Sequence, residues 1–202
     1  IIDTHAHLDH LPDLSQAIEN AREAKLEAIA AVSMNLASCK KNLEIKRLTR
    51  ELKIYLAFGI HPEEAKMDEL EPCLNFARQN KNELSAIGEI GLDFWYKTVR
   101  KDKEKHEDQR RVFRAFLELA KELHLPAIIH SRGTWAECVA TLKEMTIQKA
   151  VFHWYSGPLD MLKEILEEGY YISASPALAY SPPCREAVAQ APVKQILIET
   201  DC

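Results

Sequence analysis

The chain opens Ile1-Ile2-Asp3-Thr4-His5-Ala6-His7-Leu8-Asp9-His10. The apolar start predicts a buried strand over residues 1–8. Side chains two apart in a strand point the same way, so His5 and His7 face one common point. Imidazoles that converge like this suit a divalent metal of the zinc, manganese or iron kind. Taken alone, His-x-His is equally well explained by a surface strand with alternating polar residues. The rest of the chain decides between the two.

Outward from this strand, short apolar runs alternate with amphipathic stretches. Strands are predicted at 28–34, 54–61, 85–92, 127–130, 150–154, 171–174 and 195–199, and helices at 14–25, 37–51, 67–79, 103–123, 134–144, 159–168 and 183–190. Such alternation predicts a parallel sheet covered by helices. Eight strand units favour a closed (β/α)8 TIM barrel over an open doubly wound sheet. The open sheet would usually carry a Gly-rich phosphate loop, and with six Gly in the chain there is neither G-x-G-x-x-G nor a P-loop. Residues 1–202 are expected to form one hydrolase domain. No helix follows the eighth strand, and 202 residues are few against the ~250 typical of the fold. The last helix is therefore expected to lie in a C-terminal segment beyond the sequence shown.

Hydrophobic residues make up 47% of the chain and charged residues 28%, ordinary values for a globular protein. The net charge of −5 provides no overall basic field for nucleic acid or anionic membrane. A polyanionic substrate must then be held locally, by metals or a few cations. Cys39, Cys73, Cys138, Cys184 and Cys202 are scattered without a C-x-x-C, as expected of reduced thiols in a cytoplasmic protein. No apolar run approaches the ~18 residues of a membrane span.

His5, His7, Glu89, His130, His153 and Asp201 all fall where predicted strands end. In a (β/α)8 barrel those ends form the active face. Singly, each has a plain explanation: His130 or His153 as a satisfied buried histidine, Glu89 as a loop carboxylate. Together they predict a metal centre.

Asp3-Thr4-His5-Ala6-His7, Gly59-Ile60-His61-Pro62, Gly88-Glu89-Ile90-Gly91-Leu92-Asp93, His130-Ser131-Arg132, His153 before Gly157, and Glu199-Thr200-Asp201 resemble, in order, the motifs of TatD-type metal-dependent deoxyribonucleases. His-x-His alone is shared across the wider amidohydrolase superfamily. The resemblance implies a TIM barrel with two divalent ions that hydrolyses DNA phosphodiesters. It implies that His5, His7, Glu89 and Asp201 hold one ion and Glu89, His130 and His153 the other, with Glu89 bridging. Two cations ~3.5–4 Å apart can share a bridging water, supply hydroxide near neutral pH and stabilise attacking and leaving oxygens. Mg²⁺ or Mn²⁺ is the expected working metal. Zn²⁺ binds such a histidine-rich set tightly and can occupy it in a crystal.

Further roles follow from position. Asp201 doubles as a candidate general base. Arg132, on the same side of its strand as His130, is placed either to take a phosphate or to form a surface ion pair. His61 is a substrate contact, a proton shuttle or a residue that orients a ligand. Asp93 is expected to support the Glu89 loop. Phe94-Trp95-Tyr96 either stacks on splayed bases or packs beneath the loop. Trp135 and Trp154 are expected beside the metal ligands, and His106 and His124 on helix surfaces. The leading expectation is a monomeric nuclease acting on a DNA strand end, since an acidic protein suits a pocket for a terminus better than a duplex-binding face. A metal-dependent hydrolase of a small ester, lactone or amide is the alternative, and a metal-binding scaffold the non-enzymatic one. The fourth strand contains no Lys that could be carboxylated to bridge metals, which favours the phosphodiesterase.

Overall fold

In a computed structural model, which describes residues 1–202, strands and helices alternate along the whole chain. The strands are β1 (Ile2–Ala6), β2 (Ala28–Val32), β3 (Lys53–Phe58), β4 (Leu84–Asp93), β5 (Ala127–Arg132), β6 (Ala150–Phe152), β7 (Tyr171–Ala174) and β8 (Ile196–Ile198). All run parallel, in sequence order. The helices are α1 (Leu14–Glu23), α2 (Leu36–Leu48), α3 (Met67–Gln79), α4 (Lys103–Leu123), α5 (Trp135–Glu144), α6 (Leu159–Glu167) and α7 (Pro182–Gln190). One helix follows each of the first seven strands, as expected of a (β/α)8 barrel without its last helix.

The sequence alternates because the sheet has two apolar faces to fill. Leu56 and Phe58 join the large core between sheet and helices. Ala57 between them points the other way, into a smaller group with Val32, Ala86 and Ile128, against which Val151 packs. These five come from five consecutive strands, so they fill the barrel interior with small and branched side chains. α4 shows how the outer layer is specified. Asp102 caps it by accepting from Glu104 N and Lys105 N. Val112, Phe113, Phe116, Leu117 and Ala120 then repeat at helical spacing and are buried. His124 ends the helix in a left-handed conformation and is exposed.

The barrel closes differently at its two sides. β4 and β5 approach so tightly at Gly91 that a Cβ there would lie 1.9 Å from the His130 carbonyl oxygen. β8 and β1 meet through individual bonds instead: Asp201 N to His5 O (2.9 Å), His7 N to Cys202 O (2.8 Å) and Thr4 Oγ1 to Ile198 O (2.9 Å). Asp3 completes this seam, accepting from Thr200 N (3.1 Å), Thr200 Oγ1 (2.6 Å) and His5 N (3.1 Å). Outside it, Ile2 and Ile198 are 39% and 48% exposed.

Several predicted strands end elsewhere. β1 stops at Ala6 and β6 at Phe152, one residue short of His7 and His153 respectively. β3 stops at Phe58, so His61 sits three residues beyond it and caps a short 3-10 turn, Pro62–Glu64. β5 instead runs on to Arg132. No helix is long and apolar enough to cross a membrane.

Candidate metal centre

The strand C-termini converge on Glu89, which is buried within β4, four residues before that strand ends at Asp93. Its two oxygens face two different groups of histidines. Oε2 lies 3.3 Å from His5 Nε2 and 3.4 Å from His7 Nε2. Oε1 lies 2.7 Å from His153 Nε2, 2.8 Å from His130 Nδ1 and 3.5 Å from His61 Nε2. Asp201 Oδ1 stands 3.4 Å from both His5 and His7, on the Oε2 side. All of His5, His7, His61, Glu89, His130, His153 and Asp201 therefore meet in one place.

One of these positions, and the residue next to another, is held in a backbone conformation that L side chains rarely adopt. Asp201 has φ +53°, and Trp154, directly after His153, has φ +42°. Asp201 is kept there by its N–H bond to His5. Trp154 N donates to Glu199 Oε1 (2.8 Å) and to Ser173 Oγ (3.0 Å). Strain of this kind is maintained where surrounding bonds over-determine it, typically at functional sites.

The charges are mutually dependent. Burial alone would raise Glu89, but His153, His61 and His5 around it hold its carboxyl well below the usual range. Asp201 is likewise lowered against its burial, by His7, His153 and His5. Burial would lower His7, yet its bonds to Asp201 and Glu89 lift it to about 9. His130 is raised against burial by Asp93 and Glu89, and His153 well above its ordinary value by Glu89 and Glu199. His61 differs. Burial, with His130, His153 and His7 nearby, pushes it down to about 3. Its Nδ1 accepts from Glu63 N (3.1 Å), so the neutral ring carries its proton on Nε2 and offers the site an N–H.

The residues fit divalent ions. His5 Nδ1 and Nε2, His7 Nδ1 and His153 Nδ1 are buried with no hydrogen-bond partner. Such orphaned polar atoms are costly unless something coordinates them. Two sets bring candidate donor atoms within 4.8 Å of one another, His5, His7 and Glu89, and His5, His153 and Glu199; His61 is as close to Glu89 and His130 but faces them with its N–H. Imidazole and carboxylate donors suit zinc, manganese, iron or magnesium.

Glu199, quoted from the sequence only as part of the motif Glu199-Thr200-Asp201, is a site residue to which the sequence reading gives no role. Its side chain is fully buried, with Oε1 3.7 Å from His153 Nδ1. The signal was available in its spacing, two residues before Asp201 at the end of a strand. Asp93 also does more than support a loop. Its Oδ2 lies 2.9 Å from His130 Nε2 and 2.8 Å from Arg132 Nε, the latter an ion pair without an in-line hydrogen bond. A carboxylate on the far nitrogen of a histidine fixes which ring nitrogen faces the site. Arg132 is half exposed, with its guanidinium 4.6 Å over the Tyr96 ring.

The aromatic run divides. Phe94 stacks on His106 at 4.0 Å, so His106 is a packing partner of this loop and not the free helix-surface residue expected. Its Nε2 is buried, because the loop after β4 folds back over the first turns of α4. Tyr96 and Trp154 line a cavity of about 450 Å³ together with the metal-type ligands and Arg132. Trp135 packs edge-on against Tyr155 and Trp95 and stays outside that lining. His10 stacks on His7 at 5.7 Å without reaching Glu89.

Comparison with known proteins accords with this geometry. A family model described as TatD related DNase matches residues 2–202. A metal-dependent hydrolase of Bacillus subtilis, YabD, is 32% identical over all of this chain and 80% of its own length. Human deoxyribonuclease TATDN3 is 29% identical over 100% of this chain and 77% of its own. The crystal structure of YjjV, a TatD homologue from Escherichia coli K12, superposes with a TM-score of 0.87 at 28% identity, covering 100% of this chain and 78% of that one. The chain belongs to the TatD-related DNase family and is a metal-dependent hydrolase on a (β/α)8 barrel.

Proposed function

We propose that the protein is a divalent-metal-dependent deoxyribonuclease that hydrolyses phosphodiester bonds at a DNA strand end. The observation that carries this is Glu89, whose two oxygens face separate histidine groups while Arg132 stands at the rim of the same cavity. His5, His7, Glu89 and Asp201 would hold one ion, and Glu89, His130 and His153 the other. Bound divalent ions supply Lewis-acid stabilisation of the phosphate and lower the pKa of the attacking water, Mg²⁺ or Mn²⁺ being the metals expected at work.

The chain's own groups do the rest. Asp201, held ionised, takes the proton of the attacking water as the water oxygen bonds to phosphorus and the P–O bond to the leaving nucleotide breaks. His61 offers its Nε2–H to a phosphate oxygen. Arg132, oriented by Asp93 and Tyr96, takes a second oxygen of the backbone by a charge-assisted contact. Asp93 orients His130, and the Glu199 carboxylate favours a charged His153 from 3.7 Å. An acidic protein of net charge −5 suits a pocket for a terminus, not a duplex-wide face. Scattered thiols support a cytoplasmic location, and the enzyme is taken as a monomer.

The test is purified protein with Mg²⁺ or Mn²⁺ on end-labelled single-stranded and duplex DNA, beside a panel of lactones, esters and amides. Expected are metal-dependent shortening from an end, loss of activity in excess chelator, and a raised KM with unchanged metal content for Arg132→Ala. Untouched DNA with rapid turnover of a lactone, ester or amide would assign the site to a small-molecule hydrolase instead.

A further inference from the structure

The nuclease reading leaves one aromatic unused. Asp93 Oδ1 accepts from Trp95 N (2.9 Å), a turn that sends the chain outward at the end of β4. Phe94 is tucked onto His106 with the Arg110 guanidinium 5.0 Å from its ring, and Tyr96 goes beneath Arg132. Trp95 alone stays 60% exposed. It is nonetheless a seated side chain. Its indole occupies the place a Cβ would take at Gly133, where the nearest approach would be 2.1 Å to Nε1. Gly133 has φ +74°, so glycine is favoured there for two reasons at once. Trp135 meets Trp95 edge-on at 6.1 Å.

The contacts form a path outward from the metal centre. Tyr96 lies edge-on to His61 at 6.2 Å, Arg132 covers Tyr96 at 4.6 Å, and the residue after Arg132 is the glycine that seats Trp95. Anion-binding groups sit at the inner end and an exposed, positioned aromatic at the outer end. Alternating phosphate and base positions along a nucleic acid strand match that order.

We propose that Trp95 is the stacking platform of a nucleobase subsite, holding an unpaired base next to the phosphate gripped by Arg132. A base inside a duplex has both faces covered, so the platform selects single-stranded or frayed ends. The proposal rests on the nuclease reading, and its test is separable from that reading. Binding is measured by anisotropy with a fluorescein-labelled, phosphorothioate-linked dT octamer in Mg²⁺, and again with an octamer of abasic residues.

Trp95→Ala is expected to weaken dT octamer binding about tenfold, on the scale of one lost base stack. Metal content and melting temperature should stay unchanged, Trp95→Phe should restore most of the affinity, and the abasic octamer should bind parent and variant equally. In turnover on cleavable single-stranded DNA the same factor is expected in KM, with kcat kept. Equal dT affinity for parent and Trp95→Ala, an equal loss on the abasic octamer, or no binding to either protein would overturn the platform. Absence of cleavage with the dT-specific difference intact would overturn the nuclease reading and leave the subsite standing.

Discussion

The β4–β5 seam and the β8–β1 seam carry the same kind of cargo on different foundations. Glu89, Asp93, His130 and Arg132 belong to the first, where five residue pairs run from Ile87–Ala127 to Asp93–Arg132, with a shift of register between Ile87 and Ile90 that takes in Glu89. His5, His7 and Asp201 belong to the second, where β8 has three residues and the contact to β1 rests on Asp3, Thr200 and a few backbone bonds. On one side, Asp93, His130 and Arg132 are positioned by a ladder that exists without any ion. On the other, the candidate ligands His5, His7 and Asp201 lie beside the bonds that close the barrel. Ions shared between the two sets would tie the weaker seam to the stronger one, through Glu89.

Removing that tie should have the largest effect. Glu89→Gln keeps the shape and removes the charge that, on the proposed two-ion reading, would hold two cations near each other. We expect the loss of one ion per protein and at least a ~100-fold fall in nuclease rate, the scale of a major electrostatic element. Metal analysis and steady-state kinetics check this, and two bound ions with near-normal turnover would refute a bridging role.

Asp3→Ala attacks the weak seam directly. It leaves Thr200 N–H, Thr200 O–H and His5 N–H without their acceptor, at about 2 kcal/mol. Burial already raises the Asp3 carboxyl, against the bonds from Thr200 and His5 that lower it, so its charge is held there at some cost. The expected signature is a lower melting temperature with faster amide exchange at residues 5–7 and 200–202 and unchanged exchange in β4 and β5. Equal acceleration across both seams would erase the contrast drawn above.

A third test concerns His7 in the metal-stripped protein. Its folded-state pKa of about 9 lies above the ordinary 6.5, so the folded state holds this proton more tightly. The stabilisation is complete below 6.5, declines between 6.5 and 9, and is gone above that. The stability difference between metal-stripped parent and His7→Asn should narrow over this window. Divalent ions displace the same proton, so metal affinity should rise over it. A gap that widens with pH would show that His7 is not held by Asp201 and Glu89.

Much of this was legible in residue order. Alternation of short apolar runs with amphipathic stretches predicts eight strands, and the convergence of His5, His7, Glu89, His130, His153 and Asp201 is expected from their places on successive strands, although Glu89 lies inside β4 and not at its end. The misplacements were local. The apolar run predicts that β3 reaches His61, but the strand ends at Phe58, and the residue is held instead by a turn beginning at Pro62. His106 was assigned to a surface because α4 is amphipathic, and only the folding-back of Phe94 covers it.

By itself, the sequence determined the elements and the donor chemistry, because periodicity and side-chain type are properties of neighbours along the chain. Partnerships across the barrel were decided only by tertiary structure. Asp3 with Thr200 spans 197 positions, and Asp93 with His130 spans 37. Glu199 acquires its role from His153 on another strand. Such pairs depend on strand register and on how a closed sheet brings its first and last strands together, and no local pattern encodes either. The orientation of Trp95 away from Phe94 and Tyr96 belongs to the same class, since it is set by a glycine on the next loop.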